Sequence, residues 1–162
     1  MSEDARDKVL QALMGQKAAK GRAPYLDELG LSDEEAVNRL LRILVWHLLL
    51  DRLMTELLSL NSIGSSWEQF EKVQNVMARL EMDTRIDLAK ASQTISDSTA
   101  RKIRTVNTIR NSLAHYTPKK GWNLTHIPEL TSPKAFAQLA LKAEEAIGEL
   151  IPVMKSKLKK YA

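Results

Sequence analysis

The run TVNTIRNSLAHYTP holds the residue types best suited to chemistry. Arg110, Asn111 and His115 fall within six residues, shortly before Pro118. A guanidinium neutralises a phosphate and grips it with a fork of donors. An imidazole takes or gives a proton near neutral pH. An amide four residues before an imidazole fixes its tautomer or holds a ribose or phosphate oxygen. Together these groups point to metal-free cleavage of RNA. The ribose 2′-hydroxyl would attack the adjacent phosphate, with His115 handling a proton. Arg110 would stabilise the charge that gathers on phosphorus.

Spacing limits how they cooperate. Five residues turn a helix by about 500°, so Arg110 and His115 point about 140° apart. They share a cleft only if the helix end frays and the long arginine bends back. At the end of a helix the dipole favours imidazolium, whereas Arg110 opposes it, so His115 is expected near its free value of about 6.5. One imidazole does not readily act as both acid and base in one step. A two-fold homodimer would supply the second.

The run R-N-x-x-A-H, read as Arg110, Asn111, Ser112, Leu113, Ala114 and His115, resembles the signature of the HEPN superfamily. The context is similar too. A long apolar helix (LLRILVWHLLLDRLMTELL) is followed by FEKVQNVMARLEMDTRIDLAKAS and then STARKIRTVNTIRNSLAH, over residues 33–116. Mannitol operon repressor-like proteins belong to the same helical group. The resemblance implies a helical domain, a motif paired across a dimer cleft, and endoribonuclease activity in toxin–antitoxin or phage-defence systems. An antitoxin or regulatory protein is then an expected partner. The mannitol repressor-like relatives imply the alternative, a non-catalytic regulatory or protein-interaction module. The resemblance also implies an acid on an early helix near the cleft, for which Asp51 and Glu56 are candidates; surface pairing with Arg52 would account for them equally. In HEPN toxins paired with small nucleotidyltransferases the motif extends to His-x-Tyr. Here Tyr116 follows His115 directly, so that pairing is not implied.

The same residues have a plainer reading, in which Arg110 and His115 cap a helix and pair with carboxylates. The two readings differ on whether Arg110 is packed into a salt bridge. A metal site is not expected. No Asp or Glu occurs from Ser98 to Pro128, and nuclease Mg²⁺ needs clustered carboxylates. A zinc site from His47, His115 and His126 has no ligand spacing behind it. No cofactor is expected. Positive charge is local: six Lys or Arg lie between Ser98 and Pro128, and four lysines follow Glu149. Such stretches attract a polyanion. Arg104, Lys119, Lys120 and Tyr116 are the expected RNA contacts, and Trp122 is a candidate for base stacking. The terminal lysines also suit a helix C-terminus.

The elements around the motif read as helices. The chain has 162 residues, 44% of them apolar and none cysteine, which fits a single domain in a reducing compartment. The charged start MSEDARDKVL does not resemble a secretory signal, so a cytoplasmic location is expected. Periodicity predicts a short N-terminal helix over residues 4–19, with the domain's core at 33–160. Ser32 and Glu35 form a capping box for a helix running to about Ser59. Its apolar residues wrap most of the circumference from Ile43 to Leu50, as in a bundle centre or a dimer interface. A second helix is predicted over residues 67–91, and a third from Ser96 or Asp97 to His115 or Tyr116. Pro118 ends the third. A loop of about fifteen residues follows, and Ser132 with Pro133 opens the last helix. His47 lies in the apolar run and reads as a core or interface residue. The sum is an all-α, antiparallel up-and-down bundle of four main helices plus a short N-terminal helix.

Overall fold

A computed structural model describes residues 34–63, 67–114 and 126–161. The N-terminal helix, the Ser32 cap and the loop at 115–125 lie outside these residues. The fold is all-α, as expected, with no strand among the described residues. In chain order the helices are α1 (Glu34–Ser62), α2 (Phe70–Met77), α3 (Met82–Ala91), α4 (Asp97–Ala114), α5 (Pro128–Thr131) and α6 (Pro133–Leu158), with a 3₁₀ turn at Trp67–Gln69. No helix among them is long and apolar enough to cross a membrane.

Local chemistry explains the helix starts. The Ser96 hydroxyl accepts the Thr99 N–H at 3.0 Å, satisfying one orphan donor at the start of α4. Ser132 does the same for Ala135 at 3.3 Å, and Pro133 fills the first helical position of α6. Short α5 was not anticipated. Pro128 stands at its first position, and its residue Leu130 is fully buried.

The predicted second helix is two helices. Apolar residues at 70, 73, 77 and 80 define one stripe. Continued at helical spacing, it would reach Thr84 and Asp87. The residues actually buried are Met82, Arg85, Ile86 and Ala89. The chain therefore changes phase, and it does so at Glu81, whose backbone is extended (φ −62°, ψ 150°).

α3 ends in a Schellman turn. The Thr94 N–H bonds the Ala89 carbonyl at 2.8 Å and the Gln93 N–H bonds that of Lys90 at 2.9 Å. Gln93 takes the left-handed position, at φ 53°. Glycine usually sits there, and a side chain in this region costs about 1 kcal/mol.

Residues cluster into two compact units. The described residues of the first are 34–45, 108–114 and 126–140. Its buried side chains are Val37, Leu40, Ile43, Leu44, Leu113, Leu130 and Leu139. Arg39 donates to the Leu130 carbonyl at 2.9 Å, tying α1 to α5. The guanidinium carbons of Arg39 and Arg42 lie 5.9 and 5.3 Å from the centre of the Phe136 ring. That is cation–π range and fixes the first turn of α6.

The second unit comprises 46–63, 67–107 and 141–161 among the described residues. Its core draws Leu50, Met54 and Leu57 from α1, Ile86 from α3, Ile103 and Val106 from α4, and Ala143, Ala146 and Leu150 from α6. The small alanines suit close helix packing. The Tyr161 hydroxyl donates to the Leu60 carbonyl at 3.0 Å. Trp67 stacks on Phe70 at 4.6 Å.

Candidate active site at the end of helix α4

α4 carries Arg110 and Asn111 in its last turns, held by the buried Leu113. Arg110 and Asn111 are both half-buried. Arg110 Nη1 donates to Asn111 Oδ1 at 3.3 Å, a long contact between neighbours. No carboxylate pairs with Arg110 among the described residues. That leaves most of its donors for a ligand, and it leaves the Asn111 amide nitrogen as a further donor. The next position, His115, lies outside the described residues, as do Tyr116, Lys119 and Lys120.

Arg104, the remaining expected RNA contact, belongs to the second unit. It pairs with Asp87 and reaches Asp83 at 3.8 Å. Two carboxylates offset its charge, so it presents less attraction to a phosphate than Arg110 does.

Both early-helix acids are held by cations. Glu56 bonds Arg52 at 2.8 Å, one helical turn apart. Asp51 pairs with Arg85, whose side chain is only 4% exposed. Arg85 also bonds the Asp51 carbonyl at 3.1 Å and the Thr55 hydroxyl. Its Nε has no hydrogen-bond partner. This buried cation was missed. The signal was present, since Arg85 interrupts the apolar face formed by Met82, Ile86 and Ala89. Beside it Asp51, Thr55, Glu56, Gln74 and Asn75 line an open cleft of about 260 Å³.

His47 Nε2 lies 3.2 Å from Oδ1 of the buried Asn107, which fits the expected structural role. The described residues contain no group of three metal-ligating side chains. Lys102 bonds Glu145 at 2.9 Å and also holds Glu149, which accepts a further bond from the Thr99 hydroxyl. The Lys102 ammonium holds the Glu149 carboxyl below its usual range, with Thr99 helping. Glu149 and Glu145 in turn raise Lys102.

No family model matches this chain, and no curated protein or solved structure does either.

Proposed function

We propose that this chain is a HEPN-type, metal-independent endoribonuclease acting in a toxin–antitoxin or phage-defence setting in the cytoplasm. The observation that carries the reading is an arginine with no carboxylate partner among the described residues, followed in sequence by Asn111 and, four residues after Asn111, by His115. The rival, structural reading requires Arg110 in a salt bridge, and none occurs among the described residues. The R-N-x-x-A-H spacing and its place at the end of a late helix support the same reading.

In this scheme the 2′-oxygen attacks phosphorus while one imidazole removes its proton. The P–O5′ bond breaks, and an imidazolium from a second copy of His115 protonates the leaving oxygen. The products are a 2′,3′-cyclic phosphate and a 5′-hydroxyl. Arg110 offsets the extra negative charge of the phosphorane, and Asn111 orients it. Two copies are required, and α1 offers a surface for pairing them. Val45, Leu48 and Leu49 follow one another at helical spacing and are 45%, 54% and 44% exposed.

The test uses pure protein, mixed RNA and excess EDTA, with product 3′ ends analysed for cyclic phosphate. The parent cleaves. His115→Ala and Arg110→Gln do not, and both keep the parent's helical circular-dichroism spectrum. A His115→Ala protein that cleaves like the parent overturns the assignment.

The exposed apolar stripe on α1 also favours a second reading, a non-catalytic regulatory module similar to the mannitol repressor-like proteins. There the stripe docks a different protein, and no RNA is cleaved by the parent under any of these conditions.

A further inference from the structure

The last turns of α6 stand between two hollows. The larger, about 440 Å³, is lined by Ser92 and Gln93 of the Schellman turn and by Pro152, Ser156, Lys157 and Lys160. The smaller, about 150 Å³, shares Lys157 and Lys160 and adds Asn61 and Tyr161. Neither lining contains a carboxylate. Elsewhere in the same unit Arg52, Arg85, Lys90, Lys102 and Arg104 each pair with an acid, whereas Lys72, Arg79, Lys142, Lys155 and Lys159 are in no ion pair among the described residues. Lys157 and Lys160 pair with none among the described residues. The end of α3 offers few free acceptors, because the carbonyls of Leu88, Ala89 and Lys90 are bonded by the turn's own N–H groups. What remains is a concave surface rich in donors and positive charge.

Gln93 adds a separate observation. It sits in a left-handed conformation that glycine would occupy without strain, and its side chain lines the larger hollow. The Schellman turn imposes this conformation, and strained positions of this kind recur at functional sites.

We propose that Lys157 and Lys160, with Gln93 and Ser156, form a binding site for the phosphodiester backbone of single-stranded RNA. The two hollows share the lysine pair, which suits a linear chain bound by both lysines. Side-chain donors set in a concavity match phosphate oxygens better than they match a flat lipid surface. The identity of the ligand rests on the RNA reading above, but the site uses neither Arg110 nor His115.

A 2′-O-methylated RNA strand on the order of ten nucleotides long tests it. Blocking the nucleophile prevents cleavage, so binding to the full chain is read alone. Each lysine that neutralises a phosphate adds about 0.7 to the slope of log affinity against log salt. Lys157→Gln/Lys160→Gln should therefore lower the slope by about 1.4. Between 50 and 200 mM salt the parent should lose about sevenfold more affinity than the variant. Equal slopes overturn the proposal. So does a parent that ignores RNA yet binds phosphatidylserine vesicles through these lysines. Gln93→Gly should melt a few degrees higher, about 2–4 °C, and bind RNA several-fold more weakly. A variant that melts higher but binds equally well removes Gln93 from the site. Loss of cleavage on unmodified RNA, with the parent's slope intact, counts against the catalytic reading alone.

Discussion

Arg85 makes the sharpest case for a single side chain controlling stability. Burying a guanidinium is tolerable here because Asp51 and Thr55 compensate it. Removing one partner leaves the charge stranded. Asp51→Ala should cost about 3 kcal/mol in urea unfolding. Adding Arg85→Met to the same protein should restore most of that loss, because a shape-matched apolar side chain needs no counter-charge. If the double variant is as unstable as Asp51→Ala, the charge is not the cause. The Lys102–Glu149 pair makes a pH prediction. Glu149 is held below the ordinary carboxyl value of 4.5, so its contribution is full above that value and is lost as pH falls through the lower, folded one. Lys102 is raised above 10.5, so its contribution is full below that value and is lost as pH climbs through the higher, folded one. Glu149→Gln should accordingly lower Tm at about pH 7, and the difference should shrink as pH falls below 4.5 through the lower, folded value. A Tm difference that does not shrink over that range would contradict it. At this scale the sequence was only partly legible. His47, read from the apolar run as a core or interface residue, is bonded to the buried Asn107. The role of Arg85 depended on a partner 34 positions away, Asp51, which periodicity does not reveal.

Capping chemistry was the most readable feature of the elements. Ser96 and Ser132 both perform the hydrogen bonds their positions imply. The break at Glu81 was harder to see, because no glycine or proline marks it. Only the phase of the apolar residues does: the stripe through Leu80 gives way to burial at Met82, Ile86 and Ala89. Short α5 was hidden for a different reason. Four residues carry no periodicity, and its stability comes from burying Leu130 and from the bond its carbonyl accepts from Arg39. Helix α6 can be improved. Gly148 lies in its interior, and a β-carbon built there meets nothing within 4 Å. Gly148→Ala should stabilise the protein by about 0.5–1 kcal/mol, raising Tm by about 1–4 °C. An unchanged or lower melting point would mean that the space beside Gly148 is filled in solution.

For the molecule as a whole, the proposed chemistry demands more than one copy. Val45, Leu48 and Leu49 place apolar surface on the outside of α1, in the stretch where the sequence predicted burial on several sides. Leu48→Glu should leave the fold intact, since Leu48 is 54% exposed. It should shift sedimentation from dimer to monomer and abolish cleavage together. A Leu48→Glu monomer that still cleaves removes the need for a paired site. The all-α class followed directly from helical periodicity and the sparse glycine and proline. The site was less accessible, because His115, Tyr116, Lys119 and Lys120 lie outside the described residues and only Arg104, Arg110 and Asn111 can be placed.

Trp67 gives the protein an optical reporter of its own. Its indole lies 5.7 Å from the ring of Tyr161, which borders the hollow shared by Lys157 and Lys160. It is also half open to solvent, whereas Trp46 is enclosed. A nucleotide chain settling onto those lysines would alter the emission or quenching of Trp67 without any attached dye. Trp67→Phe would remove the contribution of that indole, leaving Trp46 and Trp122 as the remaining tryptophans.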